Sequence, residues 1–366
     1  LTKITYITYY TIIYRDNAAK IMSKYIIVGS LPTDSPLSFG GTTIAMAKMV
    51  NYFKERNINY EVIQTNSYYF KYSFILNYLL AIYNYLRIIS VNDTIIVNTT
   101  AAASFYISPI FYALSRLFRC KFIFRKFAGN FSILYEKKNM FVQYIFRKTI
   151  LKSDLLFFET NSIVKYFDDL GIKNVHWLPN TREMALKKYK VNNFKKRFVF
   201  ISTVKRSKGI DEIVNVIESL DEDYVFDIYG TITDKKYSTS YFEGRNVNYY
   251  GPLDPKNLIS TIMQYDVIVL PTYHSGEGYP GIIIDGYSLG KPCIASNWQS
   301  ISEIVDHQVT GILVDIQSTK SLFEAINYFN EENYVQMSIN AFKKFNTFEN
   351  VANYNKMIDL IKGLGK

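Results

Sequence analysis

Cysteine and histidine are nearly absent from this chain. Its 366 residues hold two cysteines, Cys120 and Cys293, and three scattered histidines. Two cysteines cannot build a disulfide framework, and neither residue type has the spacing of a metal site. No metal is expected, and a reducing cytoplasm fits best. Long apolar runs are missing too. Residues 72–89 are interrupted by Asn77, Asn84 and Arg87, and residues 104–124 by Pro109, Arg116, Arg119 and Lys121. Neither run predicts a spanning helix. Both suit a helix lying on a membrane with its cations at the phosphate level, or equally a buried helix of an α/β core. No zinc-finger spacing or RNP-like motif occurs, so nucleic acid is not an expected partner. Residues 1–21 contain no glycine and no small-residue cleavage site, so they do not resemble a cleavable signal. They read as an extension ahead of a fresh start near Met22.

What the chain has in quantity is apolar and basic residues. A hydrophobic content of 48% supports packed cores, and the length suits two domains. The net charge of +10 is uneven. Residues 1–180 carry 21 Lys and Arg against 10 Asp and Glu; residues 181–366 carry 21 against 22. The basic half is either a solvated surface with a biased composition or a surface that attracts an anionic membrane or a pyrophosphate-bearing substrate.

Short apolar runs alternate with helical patterns. Tyr25–Gly29, Tyr60–Gln64, Thr94–Val97, Phe122–Phe124, Leu155–Phe158 and Val175–Leu178 read as buried strands. The rhythm pauses over the polar, lysine-rich 181–197. It resumes with Phe198–Ser202, Val225–Tyr229, Val247–Tyr250, Val267–Leu270, Pro292–Ala295 and Ile312–Val314. This is the βαβ alternation of parallel sheets covered on both faces. The expected architecture is two doubly wound α/β domains, 22–180 and 198–345, joined by a linker at 181–197. Residues 346–366 form a last helix that packs back on the first domain. Ligands of such sheets bind beyond the carboxyl ends of the strands, so loops there carry the chemistry.

Three loops stand out. In SGEGYPGIIIDGYSLG, Gly276, Gly278 and Gly281 make a turn, and Pro280 suits the first turn of the following helix. Glu277 precedes that helix and Asp285 lies one turn inside it. Carboxylates accept paired hydrogen bonds from vicinal hydroxyls, and helix-start amides favour an anion. The stretch STVKRSKGIDE places Lys205, Arg206 and Lys208 at a strand end, where cations neutralise a diphosphate. The stretch SFGGTT brings Gly40 and Gly41 to the start of a helix, where the backbone can approach phosphate or sugar closely.

EGYPGIIIDGYSLGKPCIAS followed by ISEIVDHQVTGILV resembles the family 4 retaining glycosyltransferases, which have the GT-B fold. The family's E-x7-E signature is present as Glu277-x7-Asp285. The resemblance implies that Glu277 contacts the transferred sugar and Asp285 the ribose hydroxyls. It implies that backbone at Gly278, Gly281 and Ile282 meets the donor, and that Lys208 meets the diphosphate. Gly40 and Gly41 match the family's N-terminal glycine pair. Thr203 stands where the family has arginine, so Lys205 or Arg206 must substitute. In FIFRKFAGNF, Phe127 stands near the family's histidine. Arg125 and Lys126 beside it are candidates for the acceptor or phosphate side, as is His274 near the donor phosphate.

The resulting expectation is a metal-independent, cofactor-free bacterial hexosyltransferase. It would move sugar from a nucleotide diphosphate sugar to a glycan or lipid-linked glycan in capsule, O-antigen or exopolysaccharide synthesis. The N-terminal domain would bind the acceptor and the C-terminal domain the donor. The enzyme would be cytoplasmic and peripheral on the inner face of an anionic membrane. The rival readings are a nucleotide-sugar epimerase or phosphorylase of the same architecture, and a non-catalytic subunit that binds a nucleotide sugar.

Overall fold

The computed structural model describes residues 23–32, 41–66, 74–99, 101–186 and 189–365. Gly40, with the first half of the SFGGTT stretch, and the segment 1–22 lie outside them.

Short, mostly apolar runs of two to six residues form two parallel sheets. The first contains β1 (Tyr25–Gly29), β2 (Tyr60–Gln64), β3 (Thr94–Asn98), β4 (Lys121–Lys126), β5 (Leu155–Phe158) and β6 (Val175–Trp177). The second contains β7 (Arg197–Ile201), β8 (Val225–Tyr229), β9 (Asn248–Tyr249), β10 (Val267–Leu270), β11 (Cys293–Ser296) and β12 (Gly311–Val314). The strand orders are β2-β1-β3-β4-β5-β6 and β12-β11-β10-β7-β8-β9. In the first sheet Val28 pairs with Ile63 and Val97; in the second, Val267 pairs with Phe198.

Such strands are apolar on both faces because both faces are covered. Ile26 and Val28 enter one core with Ile95, Val97, Phe122 and Phe124. Ile27, Ile96 and Ile123 enter another. That second core is closed by two helices distant in sequence. Gly41–Glu55 contributes Met46, Met49 and Phe53. The last helix, Asn350–Gly363, contributes Tyr354, Met357, Ile358 and Ile361. The C-terminal helix therefore packs on the N-terminal lobe, and the Tyr354 hydroxyl donates to the Ala45 carbonyl at 3.2 Å. The C-terminal lobe has one large core around β7, β8, β10 and β11.

The chain thus crosses between lobes twice, and the crossings are joined. Arg182 N–H donates to the Phe348 carbonyl at 3.0 Å, Asn350 N–H to the Arg182 carbonyl at 2.8 Å, and the Thr181 hydroxyl to the Asn350 side chain at 2.9 Å.

In the second sheet the order reverses between β7 and β10. A crevice opens there at the carboxyl ends, the place where open α/β sheets take ligands. The loops beyond β7 and β10 are the ones that carry Lys205–Lys208 and Glu277.

Candidate active site

The two loops are stitched together before any side chain is considered. Tyr273 N–H donates to the Ser207 carbonyl at 2.9 Å, and the Thr272 hydroxyl approaches the same oxygen at 3.3 Å. After the turn Arg206–Lys208, Gly209 adopts φ +80°, a left-handed conformation that starts the helix Ile210–Ile217. Lys208 is thereby turned inward, 8% exposed, onto a carboxylate oxygen of Glu277. The Thr272 hydroxyl donates to that same oxygen at 2.9 Å.

The three basic side chains of this loop part company. Lys205 lies beside the pair, its Nζ 3.4 Å from His274 Nδ1. Burial, then the neighbouring Lys208, hold the Lys205 amine below its ordinary value, opposed by Glu277. Burial and both lysines push His274 down, opposed by Glu277, which favours a neutral ring whose Nδ1 can accept a hydrogen bond from the Lys205 ammonium. Arg206 turns outward to Asp211 at 3.8 Å, an acid that Lys236 also contacts. Thr203 is exposed. Of the two residues expected to replace the family arginine, Lys205 is the one the structure brings to Glu277.

The helix Gly281–Tyr287 begins just after Pro280, which sits one position outside it. Ile283 and Ile284 are buried in the lobe core. Gly281 and Ile282 supply its first amides, which have no preceding turn to bond. Asp285 is buried and pairs with Arg182, Oδ1 to Nε at 2.7 Å. Arg182 also donates to Asn180 Oδ1 at 2.6 Å and to the Thr181 carbonyl at 2.9 Å, and lies against Gly281. Lys48, on the helix that starts at Gly41, comes within electrostatic range of both. Burial first and Arg182 second push its amine down to about 8, with Asp285 opposing. Asp285 therefore pairs with a cation from the interlobe crossing and lies within electrostatic range of one from the N-terminal lobe.

Arg125 and Lys126, read from the sequence as acceptor-side groups, are both buried inside the N-terminal lobe. The Arg125 guanidinium stacks over Phe127 at 4.2 Å and contacts the Tyr354 hydroxyl at 3.4 Å. Phe127 thus has a packing role beneath Arg125. Lys126 donates to the Thr99 carbonyl at 2.9 Å. Burial pushes its amine down to about 7, opposed by Glu159.

Several site residues escaped the sequence reading: Thr272, Arg182, Lys48, Tyr279 and Glu159. Glu159 directly follows the buried strand LLFF, and a carboxylate at that position was the available signal. The others carry no local pattern that marks their partners. Among the described residues, no group of three or more His, Cys, Asp or Glu side chains is arranged to hold a metal ion.

Residues 181–344 match the family described as glycosyl transferases group 1, a stretch that holds the C-terminal lobe with Arg182, Lys205, Lys208, Glu277 and Asp285. A 182-residue stretch is 26% identical to an uncharacterized 41.2 kDa protein in the cps region of Klebsiella pneumoniae. The alignment spans about half of each chain, 48% of either. Solved structures resemble nearly the whole chain. Sucrose-phosphate synthase from Thermosynechococcus elongatus is 15% identical, with 93% of this chain and 99% of that one covered and a TM-score of 0.73. A glycosyltransferase from Rickettsia africae is 16% identical, covering 94% and 100%, with a TM-score of 0.69. Anabaena HepE, crystallised with UDP and glucose, is 14% identical, covering 93% and 100%, with a TM-score of 0.67. At these identities the likeness speaks for the fold, and the fold is the GT-B architecture.

Proposed function

We propose that the chain is a retaining glycosyltransferase of the family 4 type. It moves a hexose from a nucleotide diphosphate sugar to a hydroxyl of a glycan acceptor in bacterial surface-polysaccharide synthesis. The observation that carries this reading is the buried Lys208–Glu277 pair, flanked by Lys205, at the switch point between β7 and β10. Cations and a carboxylate converge there, where a diphosphate and a sugar hydroxyl would need them.

The bond from the anomeric carbon to the diphosphate breaks as the acceptor oxygen bonds to that carbon from the same face. The acceptor proton passes to the departing phosphate oxygen. Lys208 and Lys205 stabilise the charge that builds on that phosphate. Glu277, aligned by Thr272, orients the sugar hydroxyls. Asp285, held by Arg182, meets the ribose hydroxyls with its remaining oxygen, and the amides of Gly281 and Ile282 face the donor. In this reading the lysines neutralise the diphosphate, so no step calls for a metal or cofactor.

The acceptor is carried by a lipid, and the N-terminal lobe docks on an anionic inner membrane face. Two helices of that lobe support this. Along Phe74–Ile88, the exposed Ile75, Leu79, Tyr83 and Leu86 share one stripe. On Met140–Lys148, Met140 and Phe141 are 88% and 73% exposed. Lys148 lies over the Tyr144 ring at 5.7 Å, and Lys138 over Tyr106 at 5.3 Å. Apolar rings under cations fit the boundary between lipid tails and phosphates. Among the described residues no helix is long and apolar enough to cross a membrane.

The reading is tested with the parent and Glu277→Ala proteins, UDP and GDP sugars, and a lipid-linked glycan fraction. Sugar should reach the acceptor with its anomeric configuration kept, and Glu277→Ala should lower turnover about a hundredfold. Nucleotide binding without turnover would instead indicate a non-catalytic binding subunit. Altered sugar without any acceptor would indicate an epimerase.

A further inference from the structure

Glu159 takes no part in the transfer chemistry above, yet it lies between the lobes at the acid turn. It follows β5 in the N-terminal lobe and is 5% exposed. Tyr279 N–H, from the C-terminal lobe, donates to its Oε1 at 3.1 Å. The backbone N–H of Ala128 reaches the same carboxylate. Two glycines make this meeting possible. A Cβ on Gly278 would overlap the Glu159 carboxylate, and a Cβ on Gly129 would overlap the Glu277 carbonyl oxygen. The turn and the opposite lobe therefore touch backbone to backbone.

Tyr279 is fixed at every other polar atom as well. Its carbonyl accepts from Asn180 Nδ2 at 3.0 Å. Its hydroxyl donates to Glu303 at 2.6 Å and accepts from the Trp177 indole at 3.3 Å. Glu303 in turn accepts from the first amides of the helix Asn161–Asp169, at 2.7 and 3.1 Å.

A buried carboxylate near a second one is a costly way to fill space. Burial first, with Glu277 adding to it, pushes Glu159 up to about 7. An apolar side chain of the same size would avoid that cost but would leave the buried Tyr279 N–H without an acceptor.

We infer that Glu159 is a positioning residue: its carboxylate holds the Glu277–Tyr279 turn from the opposite lobe and so sets Glu277 against Lys208. This deepens the proposed function and rests on Glu277 facing the donor.

Trp177 reports on the turn, because its indole bonds to Tyr279. The chain has two tryptophans, so Trp298→Phe leaves Trp177 as the only one. In that background, acrylamide quenching of Trp177 is compared for Glu159, Glu159→Gln and Glu159→Met, with circular dichroism as the check on folding. Gln keeps an acceptor oxygen; Met keeps the length and loses the acceptor. The expected result is quenching within about 20% of the parent for Gln and at least doubled for Met. Parent-like quenching in the Met variant would show that Glu159 only fills space. A Gln variant as loose as Met would show that the acceptor oxygen is not what holds the turn. Either result overturns the inference. UDP, GDP and their sugars are titrated into the same proteins, and Met should weaken binding of the nucleotide sugar about tenfold while leaving that of the free nucleotide within about twofold. If neither nucleotide binds the parent, the proposed function fails, while the quenching comparison still decides the role of Glu159.

Discussion

Arg182 and Asp285 form a buried ion pair, 2.7 Å from Nε to Oδ1, between the first interlobe crossing and the helix of the acid turn. The pair has a third member. Lys48 feels both charges, Arg182 as repulsion and Asp285 as attraction. Removing one partner of a buried pair costs about 3–5 kcal/mol, because the other charge is left uncompensated. The two losses are not equivalent here. Without Arg182, Asp285 still faces Lys48; without Asp285, two cations face each other. Asp285→Ala should therefore destabilise the chain more than Arg182→Ala, and adding Lys48→Met to Asp285→Ala should recover part of the loss. Urea unfolding of the three variants checks this. An Asp285→Ala protein within 1 kcal/mol of the parent would contradict it.

Lys126 and Glu159 lead to an unusual pH dependence. Glu159 stands at about 7 when folded, above its ordinary 4.5. Between these values the unfolded chain loses that proton first, so stability falls as pH rises from about 4.5 to 7. Lys126 stands at about 7 when folded, below its ordinary 10.5. Between about 7 and 10.5 the unfolded chain holds the proton that the folded chain has released, so stability rises with pH. Together the two groups place a stability minimum near neutrality. Unfolding at pH 5, 7 and 9.5 should show the difference between the parent and a Glu159→Gln/Lys126→Met protein changing in that pattern. A difference independent of pH would remove both groups from the account.

The membrane proposal separates into a charge part and an apolar part. Vesicles containing anionic lipid should sediment the protein at low salt and release much of it at high salt, where surface charges are screened. Met140→Ser/Phe141→Ser/Tyr144→Ser should weaken binding at both salt concentrations, roughly tenfold. Binding indifferent to both salt and these substitutions would leave the basic half with another role.

Much of the fold is legible in the sequence, for a physical reason. Runs such as YIIVG, LLFF and VIVL are apolar at every position because a covered parallel sheet buries both faces of each strand. The acid turn is legible because its glycines and Pro280 mark a loop entering a helix. Partners across the lobes are not. Arg182 sits in a stretch with the composition of a linker, and nothing local announces that Asp285, 103 positions later, will meet it. Among Lys205, Arg206 and Lys208, the tight turn before Gly209 decides which side chains face the crevice; sequence spacing alone offers all three. Arg125 and Lys126 read as acceptor-side or phosphate-side cations, yet they end a buried strand, where the first meets the Tyr354 hydroxyl and the second the Thr99 carbonyl. Glu159 follows an apolar strand and becomes meaningful only when the turn of the other lobe is laid on it.

The most direct measurement is a thermal-shift and calorimetric titration of UDP and GDP sugars against the parent chain, Lys208→Met and Glu277→Ala. A true donor stabilises by mass action, about 2.7 kcal/mol at a hundred times its dissociation constant. The account predicts that at least one nucleotide sugar raises the melting temperature of the parent. It also predicts that Lys208→Met weakens binding of the sugar and of its free nucleoside diphosphate alike, whereas Glu277→Ala weakens the sugar alone. A parent chain that no nucleotide sugar stabilises, or one whose binding neither substitution changes, would contradict it.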